Sequence, residues 1–87
     1  MGQSLIGGVL QLNNRKRESL KDVRMYLERA SNIVSRVLDE EQDCLDNMPD
    51  NLQSSEKYER MEAAIEKLEE AIEQIDSAKE NIDEASE

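Results

Sequence analysis

Apolar residues recur every seven positions through the second half of the chain. With Met61 at heptad position a, Leu68, Ile75 and Ile82 also fall at a, and Ala64, Ala71, Ala78 and Ala85 fall at d. Ile65 and Ile72 sit beside them at e, while Glu62, Glu66, Glu69, Glu70, Glu73, Asp76, Glu80, Asp83 and Glu84 occupy the outer positions b, c and f. This spacing predicts a coiled-coil helix sustained over nearly four heptads. An all-alanine d column predicts close approach of a facing helix. The first half repeats the pattern with more noise. Leu20, Leu27 and Val34 are at a, and Val23, Ala30, Val37 and Cys44 are at d, with Ile33 and Leu38 flanking. Glu41 takes an a position, so a local break or a water-exposed site is expected there.

Punctuation between the two runs is clear. Met48-Pro49-Asp50-Asn51-Leu52-Gln53-Ser54 reads as a connector, because proline disfavours helix at the residue before it and Asp, Asn and Ser compete for helical hydrogen bonds. Ser54 or Ser55 is placed to cap the second helix, with Glu56 and Glu59 in its first turn. Asn13 or Asn14 is placed to cap the first, although Arg15-Lys16-Arg17 then opposes the helix dipole. Alternatively, helix extends back into the preceding arm. The organisation expected is an apolar arm over residues 1–13 and a hairpin over 14–87, with helices at 14–47 and 55–86 and the connector at 48–54. The arm carries Leu5, Ile6, Val9, Leu10 and Leu12 around Gly7-Gly8. It packs on the bundle, extends the first helix, or docks into a partner groove. Gly2 alone matches a myristoylation signal, since Ile6 stands where that signal requires Ser or Thr.

Charge gives the hairpin a polarity. Residues 1–36 hold seven Lys/Arg and three Asp/Glu, residues 37–56 hold seven acids and no base, and residues 57–87 hold four bases and eleven acids. An antiparallel fold about residue 51 lays the basic start of the first helix against the acidic end of the second. Residues near 17, 24 and 36 then face residues near 85, 78 and 66. This accounts for the basic cluster Arg15, Lys16, Arg17, Lys21 and Arg24 without invoking nucleic acid or lipid. The fold class expected is therefore all-α: an antiparallel, coiled-coil-like helical hairpin. The apolar stripes are wider than one two-helix seam, so Ile33, Leu38, Ile65 and Ile72, with Tyr26, are candidates for self-association into a dimeric four-helix bundle.

Composition then narrows the chemistry. The 87 residues carry a net charge of -10, no histidine, no Trp or Phe, and a single cysteine. The missing imidazole removes the usual general base, metal ligand and pH switch. The net charge repels phosphate backbones and disfavours direct nucleic-acid binding. The lone thiol fits a reducing, cytoplasmic setting. No apolar run approaches the roughly 20 residues of a membrane span, and no signal peptide is apparent. Glu66, Glu69, Glu70 and Glu73 have the spacing of di-metal carboxylates, but they face outward and lack histidine partners, so no metal or other cofactor is expected. Cys44, among acids and at position d, reads as a core residue rather than a nucleophile. No enzyme is expected. The outer face formed by Glu62, Glu66, Glu69, Glu70, Glu73, Asp76 and Glu80 is the candidate partner-binding surface. It reads either as a solvated face that keeps a small protein soluble or as a mimic of nucleic-acid phosphates. The connector, with exposed acids and Leu52, is a second candidate.

The run Asp39-Glu40-Glu41-Gln42-Asp43 through Asn47-Met48-Pro49-Asp50-Asn51-Leu52-Gln53, followed by Ser55-Glu56, Met61-Glu62-Ala63-Ala64-Ile65 and Leu68-Glu69-Glu70-Ala71-Ile72, resembles small acidic helical proteins encoded by phages and mobile elements of Gram-positive bacteria. The resemblance covers about residues 38–76 and implies a genetic setting rather than an activity. The function expected is a non-enzymatic protein-interaction module that binds itself and a host or phage protein. The alternatives are an acidic nucleic-acid mimic that inhibits a host defence nuclease, of anti-CRISPR or other anti-defence type, and a structural or assembly scaffold.

Overall fold

A computed structural model describes residues 12–87. The expectations for the arm fall mostly on residues 1–11, outside the described residues. Two long helices, α1 (Asn14–Asp46) and α2 (Glu56–Ala85), form an antiparallel all-α hairpin. Both ends follow from local chemistry. Asn13 stands in extended conformation and its Oδ1 accepts from Lys16 N at 2.9 Å, so the helix begins there despite the adjacent bases. Ser55 Oγ accepts from Tyr58 N at 3.2 Å, and Glu56 and Glu59 lie in the first turn of α2. Between the helices, Pro49 opens a single 3-10 turn over Asp50–Leu52. Gln53 Nε2 ties that turn down by donating to Met48 O at 3.2 Å and Asp50 Oδ1 at 3.3 Å.

The seam between the helices differs from the one expected. Position a faces inward in both helices, but its companion column is e rather than d. In α2 the inward residues are Tyr58, Met61, Ile65, Leu68, Ile72, Ile75, Lys79 and Ile82, while of the d column Ala64 and Ala85 are exposed and Ala71 and Ala78 half-buried. In α1 they are Arg17, Leu20, Leu27, Ser31, Val34, Leu38, Glu41 and Leu45. Ile65 (7% exposed), Ser31 (8%) and Leu45 (9%) are the most deeply buried of these. Ile65, Ile72 and Leu38 therefore belong to the seam of the single hairpin and are not free flanks for self-association. The reason is size. An a/e seam encloses Ile65, Ile72, Leu38 and Leu45 where an a/d seam would enclose Ala64, Ala71, Val37 and Cys44. Each large aliphatic side chain contributes about 1.5–3 kcal/mol when fully buried.

Two local expectations change with it. Cys44 lies at the surface, not in the core. α1 continues unbroken through Glu41, which lines an open cleft with Cys44, Met48, Lys57 and Met61. Water access through this cleft lets a carboxylate occupy a seam position.

Candidate functional site

Turning 100° per residue, positions d and g lie on one side of the a/e direction and b and f on the other. Because the helices are antiparallel, the two d/g columns come to the same broad face of the hairpin. The cleft above confirms the placement, since Cys44 and Lys57 are both d residues and line it together. The ion pairs across the hairpin confirm the opposite face, since each joins an e residue to a b residue of the other helix. Arg24 Nε donates to Asp83 Oδ1 at 2.7 Å, and Lys79 Nζ donates to Glu28 Oε1 at 3.0 Å. Arg24 Nη1 lies 3.7 Å from Glu28, and Lys79 Nζ lies 3.3 Å from Asp76, so five side chains form one network. The hydrogen bond and charge of Asp83 raise the pKa of Arg24. The hydrogen bonds to Glu28 and Asp76 raise that of Lys79 above its ordinary 10.5.

At the open end, Arg17 Nη2 donates to the backbone carbonyl of Glu87 at 3.4 Å. The basic start of α1 thus lies against the acidic end of α2, as the charge division implies. Near the connector, Glu41 and Met61, and Cys44 and Lys57, line one cleft, as a fold about residue 51 implies. Arg24 reaches past the level of residue 78 to Asp83 because long helical side chains lean toward the start of their own helix.

The two broad faces have different chemistry. All seven carboxylates of the candidate acidic surface, Glu62, Glu66, Glu69, Glu70, Glu73, Asp76 and Glu80, are exposed. Glu70 pairs with Lys67 at 3.5 Å and Asp76 with Lys79, while Glu62, Glu66, Glu69, Glu73 and Glu80 make no ion pair among the described residues. These acids point away from the d/g face or along its outer edge.

The d/g face is the surface that sequence reasoning did not isolate. On α1 it carries Lys16, Ser19, Val23, Tyr26, Ala30, Ile33, Val37, Glu40 and Cys44, and on α2 it carries Lys57, Arg60, Ala64, Lys67, Ala71, Gln74, Ala78, Asn81 and Ala85. The chain has 21 acids, yet Glu40 is the only one at these positions. Tyr26 is 61% exposed and Ile33 52%, and Val23 and Val37 are each 37% exposed. Of the four self-association candidates, Ile33 is the one that stands open on this face. The signal lies in the d column, whose seven-residue period is the same as that of a seam. Leu52, on the connector, is also exposed.

Among the described residues no group of three or more His, Cys, Asp or Glu is arranged to hold a metal ion, and no helix is long and apolar enough to cross a membrane. No family model, curated protein or solved structure matches the chain.

Proposed function

We propose that this chain is a non-enzymatic protein-interaction module that binds another protein chain through its d/g face. One observation carries the reading. A chain of net charge -10 keeps acids off one broad face of a rigid hairpin, save Glu40, and exposes Tyr26, Ile33, Val23 and Val37 there. Contiguous exposed apolar surface on a small protein marks an interaction site, and the charges the face does carry are, Glu40 apart, the bases Lys16, Lys57, Arg60 and Lys67. The resemblance of residues 38–76 to phage and mobile-element proteins of Gram-positive bacteria supports a phage-encoded setting, in which the bound protein is of phage or host origin. Chemical crosslinking in cells producing the wild-type chain or Ile33→Asp tests the reading. The wild type yields crosslinked species that the variant lacks. Identical patterns from the two would refute it.

A second reading is favoured by the unpaired exposed carboxylates of α2. They support binding of a basic protein groove, as an inhibitor that mimics nucleic-acid phosphates would do. Replacing Glu66, Glu69, Glu73 and Glu80 together by Lys then abolishes capture of such a target, and raising salt weakens it. A charge-reversed variant that still binds with the same salt response would rule this out. The two surfaces are on opposite faces, so both readings can hold for one molecule.

A further inference from the structure

We infer that the chain bound on the d/g face is a second copy of this protein, stacked so that α1 of one hairpin lies on α2 of the other with both connectors at the same end. This rests on the reading of the d/g face as a protein-binding surface and names its occupant. Three features of the face are self-complementary.

The first is size. In the d columns α1 carries Val23 and Val37 where α2 carries alanine at every position from 64 to 85, and in the g columns α1 carries the apolar Tyr26 and Ile33 where α2 carries the polar Arg60, Lys67, Gln74 and Asn81. A twofold axis parallel to the helices brings α2 of the partner to the height already held by α2 of the same hairpin. Val37 then meets the level of Ala64, Ala30 that of Ala71, and Val23 that of Ala78. Val37 and Val23 then sit over alanines, and Ala30 over Ala71 between them, which lets backbones approach closely. Turning one copy end over end would instead set large on large and alanine on alanine.

The second is charge. The single acid on the face, Glu40, lies in the second half of α1, and Glu41 opens beside it into the cleft that Cys44 and Lys57 line. The bases of α2 on this face cluster in its first half, as Lys57, Arg60 and Lys67. The connector-sharing arrangement superposes these two groups across copies. The end-over-end arrangement puts α2 against α2, where Lys57, Arg60 and Lys67 lie over Ala85, Asn81 and Gln74 and meet no acid on the face.

The third is area. Two helices roughly 50 Å long and 10 Å wide present about 1,000 Å², above the roughly 800 Å² per partner of a standard stable interface. The dense carboxylates of α2 stay outside such a pair, so its net charge does not enter the contact.

Sedimentation equilibrium of the full chain tests the occupant. The wild type is expected at twice the 10.0 kDa chain mass. Ile33→Asp and Ala64→Glu, both at exposed positions, are expected as monomers that keep the helical circular dichroism of the wild type, and Glu69→Gln is expected to remain a dimer. A wild type that is monomeric at millimolar concentration would overturn the second copy as occupant. If crosslinking in cells still depends on Ile33, the face takes a foreign protein, and only the identity of the occupant has failed. Disulfide trapping in a Cys44→Ser background tests the arrangement. Val37→Cys mixed with Ala64→Cys gives a crosslinked pair on oxidation, and neither does alone. Self-crosslinking of Ile33→Cys, with none in the mixture, would overturn the stacking.

Discussion

Arg24 Nε donates to Asp83 Oδ1 at 2.7 Å, across 59 residues of chain. The contact joins the basic start of one helix to the acidic end of the other. It also shares Arg24 with Glu28, which in turn holds Lys79. One network therefore pins register and polarity on the face opposite the apolar one.

A double-mutant cycle of Arg24→Ala and Asp83→Ala measures the worth of that pair. Each single change lowers the thermal midpoint slightly, and the double mutant loses less than the sum. Both side chains are partly exposed, so the coupling is small and shrinks as salt shortens the Debye length from about 10 Å at 0.1 M to about 3 Å at 1 M. Circular-dichroism melts at the two salt concentrations check this. A coupling unaffected by salt would mean the pair acts through packing.

Lys79 gives the alkaline limb of the stability curve. Its folded pKa is raised by the hydrogen bonds to Glu28 and Asp76. The charged form is thus favoured by folding. The contribution is complete below the ordinary value of 10.5 and is lost as pH climbs through the higher folded value. Urea midpoints measured from pH 8 to 12 fall at the top of that range for the wild type, and less steeply for Lys79→Met.

Ile65→Ala separates the observed seam from the one that the alanine column suggests. Ile65 is 7% exposed, so truncation costs about 2–5 kcal/mol. Ala64→Ser, one residue away and exposed, changes hairpin stability by within about 0.5 kcal/mol. Urea denaturation in the Ile33→Asp background reads the hairpin separately from any association. The reverse order of effects would place the d column inside.

Loss of a cap is the mildest local test. Ser55→Ala leaves the Tyr58 amide without its side-chain acceptor and costs about 1 kcal/mol. Ser54→Ala, which removes no capping bond, is expected to be neutral. Thermal melts of the two variants distinguish the cap from its neighbour.

The outline was legible because it depends on neighbours in sequence. The seven-residue period, the proline of the connector and the capping residues Asn13 and Ser55 act within a few positions of themselves. They mark two helices ending close to where the structure ends them. The charge division between residues 1–36 and 37–87 sets the antiparallel polarity, because it is a property of whole segments. Glu41 was legible only in part. Its column is inside, but the cleft with Met48, Lys57 and Met61 that admits water is made by both helices and the connector together.

By itself, the sequence determined that this chain is an antiparallel hairpin with a basic start laid on an acidic end. Only the tertiary structure decided which stripe became the seam. Positions a and d are three and four residues apart around the heptad, and so are a and e, so each helix taken alone offers two stripes of the same period. The choice is made where the helices meet. There Ile65, Ile72, Leu38 and Leu45 exclude more water than the alanines can, and Arg24 and Lys79 at e can reach Asp83 and Glu28 on the opposing helix. Once e turned inward, d was left on the rim, with Cys44, Ala64 and Ala85 exposed and Ala30, Ala71 and Ala78 half-buried. The column that looked like a core became the one broad face nearly free of acid.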